Sequence, residues 1–581
     1  MSTTNKPAPT THEFDRDFRA QLAQMTAGLA PTAFTAAWAD WAMHLALSPA
    51  RQRDLQHHAV ERAQDTWSFA LNALSGSPLP PAEGLAGDAD ARFKGQEWAQ
   101  FPFNVLARTY QNGAALMKDV VRDVDGVTEY HQQLLDFTIR MARDASSPSN
   151  FLMSNPEVLA LTQQEKGQNL LRGFKNFIED LKRTLAGMEP VGVDEYEVGR
   201  NVAMTPGKVV YRNELIEVLQ YEPTTAQVYK EPILIVPAWI MKYYILDLSQ
   251  RNSMIKYLVD QGHTVFTMSW KNPDQGDREI GMDDYVHKGF IAAVDAVTTI
   301  VPARKVHTIG YCIGGTLLMI GAAALARDQD DRLASITLFA AQTDFSEPGE
   351  LALFINPSQL AMLDATMRKK GVLESKQMSG AFMMLRSQDM FWQPLIDKYL
   401  KGKRDPMIDL MAWNADGTRM PWKMHSEYLY RLFLDNELAT NRFPVGERLV
   451  RLSDIRVPML VVGTEADHVA PWKSVYKVDN LVRSDDFTFL LTAGGHNAGI
   501  VCGPVHPKRH YRIKTRRLAD PHLAPEEWVE SATKHQGSWW PAMQGWLAER
   551  SDGMAKPPAM GAARKGYEPI ADAPGQYVRQ R

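Results

Sequence analysis

Residues 14–188 carry apolar side chains at helical spacing, and this pattern predicts an all-helical region. The clearest run has apolar residues placed mostly three or four positions apart, at Leu170, Phe174, Phe177, Ile178, Leu181 and Leu185. Gly187 and Pro190 follow this run and predict the end of a helix. Turn-forming residues cluster at 75–90 and 146–157, which predicts breaks between helices.

After Gly199 the pattern changes to short β-rich runs that alternate with helical ones. The predicted strands are 208–221, 233–236, 263–270, 305–310, 333–339, 457–464 and 486–492. The predicted helices are 252–260, 285–300 and 313–326. Strands that alternate with helices predict an α/β fold with a mainly parallel sheet covered on both faces.

A stretch rich in methionine and aromatic residues, 344–449, interrupts this alternation. An insertion between two strands of one sheet predicts a helical cap over the strand ends, where α/β folds place their sites. The chain is therefore predicted to have a helical N-terminal domain, 1–198, and an α/β domain, 199–581. Residues from about 551 are rich in Gly, Ala, Pro and Arg, which predicts a loose C-terminal tail.

The composition is that of an ordinary globular protein: 45% of the residues are hydrophobic, 23% are charged, and the formal net charge is −4. This balance gives no general attraction to nucleic acid. Two cysteines cannot build a disulfide framework, and no His/Cys cluster has zinc-site spacing, which favours a reducing compartment and no metal. The start of the chain lacks the pattern of a signal peptide, and the weakly charged run 312–326 is shorter than the roughly 20 residues of a bilayer span. We therefore expect a cytoplasmic protein without a transmembrane segment.

Cys312 is flanked by glycines in the segment 307–316, HTIGYCIGGT. It follows a predicted strand and precedes a predicted helix, which is the context of a nucleophile on a sharp strand-to-helix turn. Gly310 and Gly314 allow the backbone to approach closely there, and the N-terminus of the helix favours a thiolate. The alternative is a buried structural cysteine. The motif favours the nucleophile.

Such a nucleophile needs an acid and a base, which follow it in the chain in that order. Asp467 lies in GTEADHVAPW, 463–472, and His496 lies in TAGGHNAGI, 492–500. Each segment follows a predicted strand, so both residues stand in the expected order. Asp467 would fix the tautomer of His496, and His496 would take the thiol proton and later activate a second nucleophile.

Other residues offer alternatives to this assignment. Asp344, which follows an earlier predicted strand, and Glu465 are rival acids. His468 has no strand-end loop of its own and is interpreted as a supporting or structural residue. Cys502 is interpreted as core packing.

Negative charge that develops on an acyl oxygen requires hydrogen-bond donors. The backbone N–H of Ile313, which follows Cys312, is the expected first donor. The second is expected in PAWIMKYYILDL, 237–248, where the sequence alone does not choose the residue. A cysteine suits transfer from a thioester, because exchange of one thioester for another is nearly thermoneutral. The final acceptor is then expected to be a hydroxyl group, and the product an oxygen ester.

In their joint order, several segments resemble the class I polyhydroxyalkanoate synthases, such as the poly-3-hydroxybutyrate synthases, of the α/β-hydrolase superfamily. These segments are SPSNFLMSNPEVL, GRNVAMTPGKVVYRNELIEVLQY, KYYILDL, GHTVFTMSWKNPD, GYCIGGT, WNADGTRMP, GTEADHVAPW and GGHNAGI. The resemblance implies an acyltransferase that polymerises (R)-3-hydroxyacyl-CoA into polyester, with coenzyme A as the leaving group and no cofactor. It also implies a homodimer on the surface of a cytoplasmic polyester granule, with granule-associated proteins as further partners.

Residue by residue, the resemblance places the nucleophile on Cys312, the acid on Asp467 and the base on His496. It places a second oxyanion contact on Ile245, within KYYILDL. Once the acyl thioester has formed, the 3-hydroxyl of an acyl group attacks it, activated by His496 or by Asp467; the sequence leaves both open. The sequence after His496 and the segment PAWIMKYY depart from the usual family pattern. Both flank the expected acyl pocket, so the preferred acyl chain length is not determined.

The same resemblance associates region 1–198 with dimerisation and granule attachment. Its segment FTAAWADWAMHLAL, 34–47, is either a granule-facing amphipathic surface or a set of helical residues packed into their own core. Trp413 and the Met-rich cap either cover the entrance to the site or pack in the core. Two other functions compete: a cysteine-dependent acyl-CoA thioesterase or hydrolase of the same fold, which uses water as acceptor, and a non-catalytic granule scaffold.

Overall fold

The structure, a computed structural model, describes residues 11–26, 29–75, 90–504 and 509–581. The chain forms two compact units. The helical unit consists of Met25–Val191 and Met378–Pro406. The α/β unit consists of Met1–Gln24, Gly192–Gln377 and Met407–Arg581. The border between Val191 and Gly192 lies close to the predicted one at 198/199. The described residues before Met25 group with the α/β unit, although the predicted helical domain includes them, and the predicted cap, 344–449, is divided between the units.

The prediction of a helical N-terminal region is confirmed within the described residues. Its helices are α1 (Thr11–Met25), α2 (Pro31–Ala46), α3 (Pro49–Ser75), α4 (Phe103–Val121), α5 (Glu129–Ser146), α6 (Pro156–Gln164) and α7 (Gln168–Leu185). Side chains cap the ends at the predicted break 146–157: the Asn155 side chain accepts a hydrogen bond from the Val158 N–H at the start of α6. The predicted break at 75–90 lies almost entirely outside the described residues.

An 11-stranded sheet organises the α/β unit. Counting the short strands outside it, the strands are β1 (Gly207–Arg212), β2 (Ile216–Tyr221), β3 (Val228–Tyr229), β4 (Ile233–Val236), β5 (Val265–Trp270), β6 (Val306–Tyr311), β7 (Leu333–Phe339), β8 (Val372–Leu373), β9 (Met420–Pro421), β10 (Pro444–Val445), β11 (Arg448–Leu449), β12 (Met459–Thr464), β13 (Phe487–Thr492), β14 (His510–Arg516), β15 (Thr533–Gln536), β16 (Met554–Ala555) and β17 (Ala571–Asp572). The order across the sheet is β15-β14-β13-β12-β7-β6-β4-β5-β2-β1-β17.

Parallel pairing holds the centre of this sheet together, from β5 through β4, β6, β7 and β12 to β13, and antiparallel strands extend both sides. The central strands β4, β5, β6, β12 and β13 are buried along their whole length. Strands buried on both faces must be covered on both faces. The predicted α/β class with a mainly parallel sheet is therefore confirmed.

Helices and short helical turns fill the connections between the strands. The helices after the N-terminal region are α8 (Met254–Asp260), α9 (Met282–Asp284), α10 (Ala292–Ile300), α11 (Ile313–Arg327), α12 (Pro357–Lys370), α13 (Ser375–Leu385), α14 (Gln393–Leu395), α15 (Asp409–Ala415), α16 (Trp422–Tyr428), α17 (Trp472–Tyr476), α18 (Val478–Leu481), α19 (Pro525–Ser531) and α20 (Trp540–Ala548). Among the described helices, none has both the length and the apolar run that a bilayer span requires.

Contacts with α7 explain why Met378–Pro406 belongs to the helical unit. A Cβ at Gly173 of α7 would collide with the backbone carbonyl of Tyr399, so only glycine permits this approach. Asp180 of α7 then binds the Lys398 ammonium at 3.0 Å and accepts a hydrogen bond from the Tyr399 hydroxyl at 2.9 Å. These are contacts between distant parts of the chain, which local sequence patterns do not report.

The prediction of a loose tail from about residue 551 is wrong. Strand β16 pairs with β3, and β17 pairs with β1 at the edge of the large sheet. The buried carboxylate of Glu217 accepts hydrogen bonds from the N–H groups of Gln576 and Tyr577, and Val578 is 1% exposed. The glycines and prolines therefore lie in an ordered segment, and its backbone N–H groups donate to a buried carboxylate.

Candidate active site

Cys312 occupies a strained turn between β6 and α11. Its φ of 53° and ψ of −127° lie in a region that residues with a side chain rarely adopt. A Cβ at Gly310 would lie 2.5 Å from the Cα of Gly315, and a Cβ at Gly314 would lie 2.5 Å from the carbonyl carbon of Pro237. Glycine therefore lets β6, α11 and the chain after β4 close around this turn, and it leaves the Cys312 side chain partly exposed.

His496 links Cys312 to Asp467. Nδ1 of His496 lies 2.7 Å from Oδ2 of Asp467, and Cys312 is close enough to the same imidazole to raise its pKa by charge and hydrogen bonding. Because Nδ1 faces the carboxylate, Nε2 is the ring nitrogen left for the thiol. The three residues follow β6, β12 and β13, whose carboxyl ends lie at one edge because these strands run parallel through β7.

The carboxylate of Asp467 is fixed by donors on every side. It accepts hydrogen bonds from the Thr464 hydroxyl at 2.9 Å, the Val469 N–H at 2.9 Å and the Ala470 N–H at 2.8 Å, besides His496. Burial by itself raises the pKa of Asp467, but the charge of His496 and these hydrogen bonds lower the pKa below its ordinary value. Asp467 therefore stays ionised and orients the imidazole.

His496 is held in the charged form by its two partners. Burial by itself lowers the pKa of His496, but the charges of Asp467 and of a Cys312 thiolate, with hydrogen bonds to both, raise the pKa well above its ordinary value. Tyr311 stacks on the imidazole with ring centroids 5.7 Å apart, and its hydroxyl donates to Oδ1 of Asn497 at 2.6 Å. Sequence reasoning missed Tyr311, although it directly precedes Cys312.

Comparisons with known proteins identify the family of the chain. A family model described as "Poly-beta-hydroxybutyrate polymerase (PhaC) N-terminus" matches residues 89–258, and a model described as "Poly-beta-hydroxybutyrate polymerase N terminal" matches residues 9–51. A third model, "alpha/beta hydrolase fold", matches residues 231–501, which include all of the residues described above.

Curated relatives extend this match over most of the chain. The poly(3-hydroxyalkanoate) polymerase subunit PhaC of Rhizobium meliloti is 36% identical over 92% of this chain and 86% of its own. The poly(3-hydroxyalkanoate) polymerase of Methylorubrum extorquens is 36% identical over 89% of this chain and 84% of its own. The PhaC subunit of Cupriavidus necator is 34% identical over 92% and 89%. This chain belongs to the poly(3-hydroxyalkanoate) polymerase family. The predicted resemblance is therefore confirmed.

In this member of the polymerase family, the rival acids stand elsewhere. Asp344 accepts hydrogen bonds from the Ser346 N–H at 2.8 Å and the Asn436 side chain at 3.0 Å. Glu465 lies 3.1 Å from Nε2 of His510. Within the described residues, the carboxylate bonded to His496 is thus that of Asp467. Cys502 is fully buried, as the packing interpretation predicts.

Two backbone positions near Cys312 are suited to bind an oxyanion. Ile313 is the first residue of α11, so its N–H points out of the helix end without an intrahelical acceptor. Pro237 touches the first turn of α11 at Gly314, which makes the N–H of the next residue, Ala238, a second candidate. Ile245, predicted from the family resemblance, is buried in the short 3₁₀ turn Tyr243–Leu246. Its role stays a prediction.

Two segments that carry the family resemblance interlock beside the site. Lys242, in KYYILDL, is buried and forms an ion pair of 2.7 Å with Asp416 of WNADGTRMP. The indole N–H of Trp413 donates to the carbonyl of Lys242 at 2.8 Å, and Trp413 is itself buried. Trp413 therefore packs in the core and fixes the loop after β4.

Proposed function

We propose that this protein polymerises (R)-3-hydroxyacyl-CoA into polyester and releases CoA, by way of a covalent thioester on Cys312. One observation carries the proposal: the cysteine on the strained turn lies beside an imidazole that a buried carboxylate orients. Membership of the poly(3-hydroxyalkanoate) polymerase family supports polyester as the product, and an acyl-CoA substrate fits that product.

In the first half of the proposed reaction, the Cys312 sulfur attacks the thioester carbonyl of the substrate. The resulting oxyanion accepts a hydrogen bond from the Ile313 N–H and a second one from the N–H of Ala238 or Ile245. The tetrahedral species then collapses, the bond to the CoA sulfur breaks, and the imidazolium of His496 protonates the leaving thiolate. The raised pKa of His496 supports this role, because the proton is already in place.

In the second half, the 3-hydroxyl of another acyl group attacks the Cys312 thioester. His496 takes the hydroxyl proton, an oxygen ester forms, and the Cys312 sulfur leaves. Asp467 is the other candidate base. Its oxygens already accept hydrogen bonds from Thr464, Val469, Ala470 and His496, which supports His496 as the base and Asp467 as its orienting partner.

Attachment to the polyester granule is part of this proposal, and α7 is the element that supports it best. Its outward apolar side chains, here called the α7 face, are 41–80% exposed: Leu171, Phe174, Phe177, Leu181 and Leu185. An exposed apolar stripe on an amphipathic helix is suited to an apolar surface. The earlier candidate, segment 34–47, is mixed: Ala37 is buried and Trp41 donates to the Val120 carbonyl, whereas Met43 is exposed.

We also propose that the protein forms a homodimer and binds granule-associated proteins, as the family resemblance implies. Sedimentation of the purified protein at several concentrations, with and without substrate, tests the dimer. A single sedimentation coefficient of monomer size at every concentration would contradict it.

A product assay tests the reaction. Purified protein is given (R)-3-hydroxybutyryl-CoA, free CoA is measured with a thiol reagent, and the products are separated into soluble acid and insoluble polymer. We expect CoA release together with insoluble polyester. Release of CoA with soluble 3-hydroxybutyrate as the product would indicate a thioesterase, and an absence of CoA release would favour a scaffold.

A further inference from the structure

Tyr428, the last residue of α16, stands over the turn that carries Cys312. In the sheet, β6 lies between β4 and β7. Trp239 belongs to the chain after β4, and Phe345 belongs to the chain after β7. The Tyr428 ring contacts both of these rings edge-on, with centroids 6.2 Å and 6.3 Å away. It therefore spans from one flank of the β6 strand end to the other.

The ring of Tyr428 is firmly placed. Phe433 packs edge-on against it at 5.3 Å, and the buried imidazole of His425 stacks on it at 6.0 Å. Its partner Trp239 is held in turn, because the Thr418 hydroxyl donates to the Trp239 carbonyl at 2.5 Å. Tyr428 is 9% exposed in all. A ring packed by aromatic neighbours on several sides presents its hydroxyl in a fixed direction.

The hydroxyl of Tyr428 has no hydrogen-bond partner within the described part of the chain, and it is not among the fully sealed polar atoms there. Burial raises the pKa of Tyr428 well above its ordinary value, and the nearby charge of a Cys312 thiolate raises the pKa further. The hydroxyl therefore keeps its proton at neutral pH and remains a donor. A donor that no described protein group occupies and that is not sealed off is available to a ligand in the site.

We propose that Tyr428 contacts the substrate, and that its hydroxyl donates a hydrogen bond to the 3-oxygen of the acyl group on Cys312. This inference rests on the proposed function. The carbonyl oxygen of that acyl group already faces the Ile313 N–H, so the 3-oxygen is the remaining acceptor close to the sulfur. By holding this oxygen, Tyr428 distinguishes 3-hydroxyacyl groups from simple acyl groups.

The test compares Tyr428→Phe with Tyr430→Phe, a matched control that removes a phenol hydroxyl from the helical turn that follows α16. The rate of Cys312 acylation is measured by mass spectrometry with (R)-3-hydroxybutyryl-CoA and with butyryl-CoA, which lacks the 3-oxygen. We expect Tyr428→Phe to slow acylation by (R)-3-hydroxybutyryl-CoA about tenfold, the effect of one hydrogen bond, and to change acylation by butyryl-CoA less than about twofold. Tyr430→Phe should leave both rates unchanged.

The two substrates separate the possible failures. An equal loss with both substrates would show that the hydroxyl supports the fold of the site and does not bind the 3-oxygen. An unchanged rate with (R)-3-hydroxybutyryl-CoA would remove the contact altogether. Failure of the unaltered protein to acylate Cys312 with either substrate would contradict the proposed function itself, and the role of Tyr428 with it.

Discussion

Two regions of the molecule hold their side chains differently. One is the set of strand-end loops that carry Cys312, Asp467 and His496, and the other is the α7 face. In the loops, each reactive group has a specific polar partner, and Asp467 is fixed by several donors. On the α7 face, Phe174 is 61% exposed and Leu185 is 80% exposed. Directional bonds at short distances fix a geometry, whereas exposed apolar area does not.

This difference suits two different tasks. Acyl transfer needs atoms held to a fraction of an ångström, so burial and opposite charges are arranged around one sulfur. Association with a polymer surface needs apolar area without a defined partner geometry. We therefore expect changes at the strand ends to act on the rate of the reaction, and changes on the α7 face to act on where the protein resides.

Substitution of Cys312 by alanine should have the largest effect. In the proposed reaction it removes the atom that holds the acyl group, so CoA release should fall on the order of 10⁵-fold and no polyester should form. Cys502→Ala, a control at a buried cysteine outside the site, should keep most of the activity. Both are measured by CoA release on folded protein. Full activity in Cys312→Ala would place the nucleophile elsewhere.

Asp467→Asn should have the next largest effect. The amide cannot stabilise the imidazolium of His496 as a carboxylate does, so the rate of Cys312 acylation should fall about 10²- to 10⁴-fold. Asp344→Asn changes the rival acid, which is bonded to Ser346 and Asn436, and should change the rate less than about threefold. If the two variants lost activity equally, the assignment of Asp467 as the carboxylate that acts through His496 would be contradicted.

Local patterns predicted which residues meet at the strand ends, because the information for this is local. A few residues are enough to recognise a nucleophile between glycines after a strand. The same is true of an acid and a base that follow later strands. In a parallel sheet the carboxyl ends meet, so order along the chain becomes proximity in space. The structure brings Cys312, Asp467 and His496 together as this reasoning expects.

Long-range packing escaped prediction for the opposite reason. Glu217 holds Gln576 and Tyr577 across more than half of the chain, and composition alone suggested a loose tail there. The composition of the residues after α13 predicted that they belong to the cap. Asp180 of α7 binds Lys398, however, and this contact ties them to the helical unit. Apolar and aromatic residues at helical spacing do not state which surface they pack against.

The pH dependence of acylation should show a smaller effect than these losses of rate, and it tests the coupling between Asp467 and His496. In the proposed reaction His496 donates the proton to the leaving thiolate, so the rate should fall when the pH rises above the raised pKa of His496. The charge of Asp467 is one cause of that raised pKa, and Asp467→Asn therefore lowers it. We expect the alkaline fall to begin at a lower pH in Asp467→Asn than in the unaltered protein. Single-turnover acylation from about pH 6 to about pH 10 measures this, and identical alkaline limbs would contradict the coupling.

Polar substitution of the α7 face should have the smallest effect on turnover. In the triple variant Phe174→Ser, Leu181→Ser, Leu185→Ser, CoA release from soluble substrate should stay within about twofold, because these exposed side chains contribute little to the fold. Its binding to polyester particles, measured by co-sedimentation, should weaken by roughly fivefold per residue. Each substitution removes apolar area whose burial on the particle contributes about 1 kcal/mol to the binding free energy.

Lys175→Ser, an exposed polar position on the same helix, is the control and should change neither property. A triple variant that still sediments with the particles would move granule attachment to another surface. If it lost turnover and kept its fold, α7 would contribute to the chemistry, and the division of tasks between fixed bonds and exposed apolar area would fail. Retained turnover with lost sedimentation would establish that the reaction and the attachment draw on different parts of the chain.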